Sequence, residues 1–81
     1  MSQAIQSYWL TYPTQLAKRL VIGEMRTKFD LTTQLRSATI TQEFVQIALE
    51  LTGEQKAIGA AVRWFRRQGV QVDHLAFGSL T

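Results

Sequence analysis

His74 is the only imidazole in a chain of 81 residues that contains no cysteine. That removes a disulfide framework, a thiolate metal site and a cysteine nucleophile. A zinc site would need an unusual ligand set built around one histidine. The six carboxylates form no acid–base pair of recognisable spacing, and no hydroxyl stands beside an activating base. His74, close to the end of the last predicted strand, therefore reads as a surface or packing residue and not as a general base. Gly53, Gly59 and Gly69 read as helix punctuation or packing, since they do not make a Gly-rich phosphate cradle. The expectation is a non-enzymatic protein without metal or cofactor.

What remains is chemistry of contact. Arg63, Arg66 and Arg67 form the densest charge cluster. They read either as a solvated helix face that complements the helix dipole or as a docking site for an acidic partner. Trp9 and Phe44 matter if they lie on an uncovered sheet face, because exposed aromatics there imply a covering partner or subunit. The formal charge of +3, with a pI of about 9.8, is a modest excess. Nucleic-acid binders of this size carry a denser basic patch, so nucleic acid is not the first expectation. A hydrophobic fraction of 46% supplies one core and excludes a disordered composition, and the length allows a single domain. No apolar run is long enough for a membrane span, and the start lacks a signal-peptide core. A cytoplasmic protein without membrane insertion is expected.

The elements that must hold these residues follow from periodicity. Residues 1–6 read as a polar lead-in. Tyr8, Leu10 and Tyr12 alternate with Trp9 and Thr11 as a first strand, ended by Pro13. Residues 14–19 read as a connection. A first helix is predicted over 20–29, with Val21, Ile22, Met25 and Phe29 on one face. Gly23 inside it either allows close packing on the sheet or is merely tolerated. Residues 31–41 suit a weakly amphipathic edge strand. A short hairpin at 41–43 leads into the clearest strand, 44–51, where Val45, Ile47, Leu49 and Leu51 alternate with Phe44, Gln46, Ala48 and Glu50. Thr52 is a candidate N-cap, with Gln55 completing a capping box. Ile58, Ala61, Val62 and Phe65 then repeat at helical spacing, widened by Ala57 and Trp64, while Lys56, Arg63 and Arg67 take the far side. Gly69 stops the helix. Val70 and Val72 open a last strand, and 76–81 reads as a loose tail.

Strand, helix, strand, strand, helix, strand is the split βαβ, ferredoxin-like α+β arrangement. The first and third strands belong in the middle of a four-stranded antiparallel sheet with both helices on one face. The other face is expected to carry Trp9, Thr11, Phe44, Gln46, Ala48 and Glu50. A register error of one residue would exchange the two faces. RNA-recognition domains share this topology and stack bases on central-strand aromatics. An RNA-binding sheet using Trp9 and Phe44 is therefore the alternative, although residues 43–49 lack the basic, Gly-containing, multi-aromatic pattern of such domains.

Several stretches together resemble the NIL domain: Leu10-Thr11-Tyr12-Pro13, Ile22 through Leu31, Leu49-Glu50-Leu51-Thr52-Gly53, Ala60-Ala61-Val62-Arg63-Trp64-Phe65 and Gly69-Val70-Gln71-Val72. That family is the ferredoxin-like regulatory module of bacterial methionine-importer ATPase subunits, and it also occurs alone. The resemblance covers about Tyr8 to Leu75 and implies a stand-alone NIL-type module over 1–81, with 1–7 and 76–81 as flexible ends. It further implies pairing through the sheets as a dimer, and a ligand at such a pair. The family is named for an Asn-Ile-Leu run on the second strand, where this chain has Gln34-Leu35-Arg36. Gln34 keeps an amide but is one methylene longer, and Arg36 brings a charge to an apolar position. The hairpin at 41–43 is shortened, and Leu20 replaces a common proline.

The reading is thus a regulatory or adaptor module that acts as a homodimer and contacts an unidentified protein. Trp9, Phe44, Arg63, Arg66 and Arg67 are its candidate partner-binding residues. The resemblance places a small-metabolite site, such as one for an amino acid, at Gln34, Leu35 and Arg36, without carrying methionine over as the ligand.

Overall fold

A computed structural model describes residues 3–17 and 21–75. The predicted helix start at Leu20 and the tail at 76–81 lie outside them. The elements are β1 (Gln3–Pro13), α1 (Thr14–Ala17), α2 (Val21–Lys28), β2 (Thr32–Ile40), β3 (Phe44–Glu54), α3 (Gln55–Arg67) and β4 (Gln71–His74). All strand pairs are antiparallel, in the order β2-β3-β1-β4. The first and third strands are therefore central, as the sequence predicts for a ferredoxin-like fold.

The core lies on one side of the sheet. Leu10 and Tyr12 of β1 and Val45, Ile47, Leu49 and Leu51 of β3 are buried there. From α3, Ile58, Ala61, Val62, Trp64 and Phe65 close over them, and Met25 comes from α2. Tyr8, Ile22 and Phe29 pack against the margin. Phe29 meets Trp64 edge-on at 6.3 Å, which joins the two helices. For Ile22, Met25 and Phe29, and for the repeat of α3, the apolar spacing read from the sequence is thus the packing face, and the Val21 side chain lies outside the described residues. Gly23 is exposed, so the tolerated reading holds and close sheet packing does not.

The end of α3 is a Schellman stop. Gly69 adopts φ +97°, its N–H donates to Arg66 O, and the Val70 N–H donates to Phe65 O. Both Phe65 and Val70 are buried, supplying the apolar contact that accompanies this motif.

Three local expectations change. β1 starts at Gln3, inside the stretch read as a lead-in, because β3 is long enough to pair with it out to Glu54. Thr52 is not the N-cap of α3. It lies in β3, opposite Ile5 and Thr32, and the capping position falls to Glu54, which makes no side-chain cap bond. The capping box at Gln55 falls with it. Residues read as a plain connection contain the short helix α1, pinned at its start. There the Thr14 N–H donates to Glu43 O and its hydroxyl to Thr41 O, which ties the β1 exit to the β2–β3 hairpin. That hairpin is itself closed by Thr41 Oγ1, which accepts from the N–H groups of Glu43 and Phe44.

Candidate functional site

The face of the sheet without helices carries Trp9, Thr11, Phe44, Gln46, Ala48 and Glu50, in the register expected from the sequence. Its centre is a straight row across four strands. Ser37 pairs with Ala48, Ala48 with Trp9, and Trp9 with Asp73. Ala48 is 0% exposed although no helix lies above it. Trp9 stands directly opposite it and is the large side chain of that row. Trp9 is half-buried. Phe44 is 39% exposed at one end of the face and Ile5 64% at the other.

A β-bulge lies between Leu35 and Ser37. Two residues of β2 here oppose one of β3. Gln34 sits opposite Glu50 on the open face, and the Arg36 guanidinium reaches the Glu50 carboxylate at 3.0 Å. Leu35 faces the helix side, as do Ala38 and Ile40 beyond the bulge. Leu35 is 57% and Ile40 73% exposed, because α2 leans on α3 and leaves edge strand β2 uncovered. Gln34, Leu35 and Arg36 therefore do not share one surface. Gln34 and Arg36 belong with Glu50, and Leu35 belongs to the other side. The Arg36–Glu50 pair was not foreseen, since only the bulge and the β2–β3 register create it.

Beyond Glu50, where β4 ends, lies a hollow of about 360 Å³ lined by Ile5, Gln6, Ser7, Glu50, His74 and Leu75. The Leu75 N–H donates to Ser7 O, which carries the chain alongside β1 for one residue past β4. His74 Nε2 lies 2.8 Å from Gln6 Oε1, a bond in which the imidazole donates, and the ring stands edge-on to Tyr8 at 5.5 Å. On β4, the Gln71 amide donates to the Asp73 carboxylate at 3.0 Å.

The arginine cluster divides. Arg63 and Arg67 are exposed on the outer side of α3. Arg66 turns toward the sheet, where its guanidinium donates to Val72 O at 3.3 Å. Burial pushes the Tyr8 phenol up from its ordinary value, and the Arg66 charge opposes that shift. Burial alone pushes Tyr12 up. Among the described residues no three His, Cys, Asp or Glu side chains gather as a metal site, and no helix is long and apolar enough to cross a membrane.

Comparison with known proteins fits this architecture. The family model of the NIL domain matches residues 6–74. Among solved structures, the crystal structure of the C-terminal domain of an ABC transporter ATP-binding protein from Enterococcus faecalis superposes with a TM-score of 0.77. It is 18% identical over 89% of this chain and 84% of that one. A de novo designed protein, Ferredog-Diesel, gives a TM-score of 0.51 at 10% identity, over 94% of this chain and 88% of that one. At such identities the likeness is one of fold. No curated protein matches.

Proposed function

The chain belongs to the NIL domain family, and from that premise we propose that it is a non-enzymatic regulatory module that pairs with a second copy through its open sheet face. The observation that carries this reading is the central row Ser37, Ala48, Trp9, Asp73. A two-fold axis parallel to the strands, running between β1 and β3 above the face, exchanges β1 with β3 and β2 with β4. Each row is then laid on its own reverse. The two Trp9 side chains, each brought over Ala48 of the other copy, meet beside the axis. The Arg36 end of one row meets the Asp73 end of the other. Phe44, paired with Pro13 in its own sheet, comes over Pro13 of the second copy, and Ile5 comes over Thr52. This is the self-complementarity that an isologous interface demands, in the aligned sheet-on-sheet geometry that sandwiches use.

The same operation brings Gln34 of the second copy toward Ser7 and Leu75, the mouth of the hollow beside Glu50. An amide from one chain and a carboxylate from the other would then face a shared space. That arrangement suits a small zwitterion such as an amino acid, with its ammonium on Glu50 and Gln34 supplying a donor. This gives Gln34 and Arg36 a place in a site that a single chain does not complete.

RNA binding through the same face finds less support. Arg36 is the only cation there among the described residues, it is neutralised by Glu50, and Asp73 adds a negative charge.

The test is sedimentation equilibrium across the micromolar range. A dimer is expected, and Trp9→Ala should weaken it by roughly 30-fold or more, as central aromatic anchors do. A wild-type monomer, or a Trp9→Ala dimer of unchanged strength, would overturn the pairing. Calorimetric titration with amino acids, methionine first, tests the ligand. Saturable binding weakened by Gln34→Ala is expected, and binding indifferent to that change removes Gln34 from the site.

A further inference from the structure

Charge is not spread evenly over this molecule. Within the described residues, the helices carry Arg26, Lys28, Lys56, Arg63, Arg66 and Arg67 against the single acid Glu24. The strands carry Arg36 against Glu50, Glu54 and Asp73. The chain is a slab only 16 Å deep in its thinnest direction, so its two broad sides have opposite character.

The cations of α3 are also aligned. Lys56, Arg63 and Arg67 are spaced i, i+7 and i+11, which brings them onto one line opposite the buried Ile58, Ala61 and Phe65. At 1.5 Å per residue the line is about 16 Å long. Gly59 and Ala60 beside it are small, and Arg63 Nη1 passes within 3.5 Å of where a Gly59 Cβ would stand. The Arg63 guanidinium thus lies along the helix and does not bury itself. All three side chains are exposed, and none is in an ion pair among the described residues. Of the large exposed apolar residues, Ile5 and Phe44 lie on the open sheet face, and Leu35 and Ile40 lie on the helix side at the uncovered edge strand β2.

We propose that the helix layer is a docking surface for an anionic phospholipid bilayer. A protein interface needs buried aromatic or apolar anchors at its centre, and the outer line of α3 offers none, since the exposed apolar residues of the helix side, Leu35 and Ile40, lie apart from it on edge strand β2. Single-stranded nucleic acid needs aromatic platforms, and the outer line of α3 has none. A lipid surface asks only for several Lys and Arg side chains brought within a Debye length of anionic headgroups on a broad face. With no apolar wedge along the cation line of α3, the contact there is reversible and lies at the headgroups without insertion. It does not depend on the proposed sheet pairing, because in such a pair the two helix layers point in opposite directions and only one can rest on a given bilayer.

The experiment is co-sedimentation of the full chain with vesicles of phosphatidylcholine alone and of phosphatidylcholine with phosphatidylserine. Binding is expected only with phosphatidylserine and should fade as salt rises. The triple variant Lys56→Glu, Arg63→Glu, Arg67→Glu, checked for an unchanged circular dichroism spectrum, should lose at least about 30-fold of it. Trp9→Ala, which breaks the proposed sheet pair, should bind vesicles as the wild type does. Equal retention on both vesicle types, an unaffected triple variant, or loss of binding in Trp9→Ala overturns the assignment. So does a single-stranded RNA that strips the protein from the vesicles at equal phosphate concentration, since that outcome identifies a nucleic-acid surface.

Discussion

At Gly53 a single hydrogen decides the local structure. A Cβ there would stand 2.5 Å from Leu31 Cδ2 and 3.3 Å from Asp30 O. The segment entering β2 crosses β3 at that point, and Leu31 is itself buried. Gly53→Ala is expected to destabilise the fold by about 1–3 kcal/mol through overpacking, measured by urea unfolding. In a Leu31→Ala background the same change should cost clearly less, because the clash has lost its partner. Equal costs in both backgrounds would show that the clearance is not what Gly53 provides. The tyrosines carry a second prediction at this scale. Burial favours the neutral phenol of Tyr12, and of Tyr8 despite Arg66, so their folded pKa values lie above the ordinary value of 10.0. That stabilisation is fully present below the unfolded pKa and is lost as pH rises through the folded one. Melting temperature should therefore fall above about pH 10, and Tyr12→Phe should make the fall shallower. A Tyr12→Phe profile parallel to that of the wild type would contradict this.

The elements show what a sequence displays and what it conceals. The apolar repeat of α3 and the alternation of β3 were legible because one periodicity spans the whole element. The extent of β3 was not. Thr52 and Gly53 have the composition of a helix entry, yet both continue the strand, since β1 and β2 offer them partners. The bulge at Arg36 was equally hidden. A bulge is a mismatch between two strands, and nothing in β2 alone marks it. It decides that Ala38 and Ile40 face the helix side, while the ordinary alternation of the strand separates Leu35 from Gln34 and Arg36, the three residues that the family resemblance presents as one site. The misplaced cap has a testable consequence. Glu54 holds the extended conformation of an N-cap, φ −68° and ψ 140°, without a side-chain bond to the first turn. A shorter carboxylate reaches those N–H groups, so Glu54→Asp should stabilise the protein by about 0.5–1 kcal/mol. A neutral or negative change would mean that pairing with Gln3 constrains the position more than α3 does.

For the whole molecule, the question is whether the sheet face is built to meet itself. A merely sticky face would lose affinity when Trp9 is removed, so the indole alone does not test the geometry. The charges at the two ends of the central row do, Asp73 on one side and Arg36, next to Ser37, on the other. With the axis parallel to the strands, Ser37 of one copy lies over Asp73 of the other, which brings the neighbouring Arg36 close to that carboxylate, and symmetry makes the contact twice. Asp73→Arg should weaken the dimer, because two arginines then face each other at both ends. Arg36→Asp should weaken it too, and it also strands Glu50 without the cation it holds at 3.0 Å. Combining the two restores opposite charges at both contacts, so the double variant should be a tighter dimer than Asp73→Arg alone, with a coupling of about 1 kcal/mol or more in sedimentation equilibrium. Rising salt should shrink that coupling. An axis perpendicular to the strands would instead place β2 over β2 and β4 over β4. Asp73 would then face Asp73, Asp73→Arg would only exchange one like-charge pair for another, and the double variant would show no rescue. The cycle therefore distinguishes two arrangements that the Trp9 variant cannot separate.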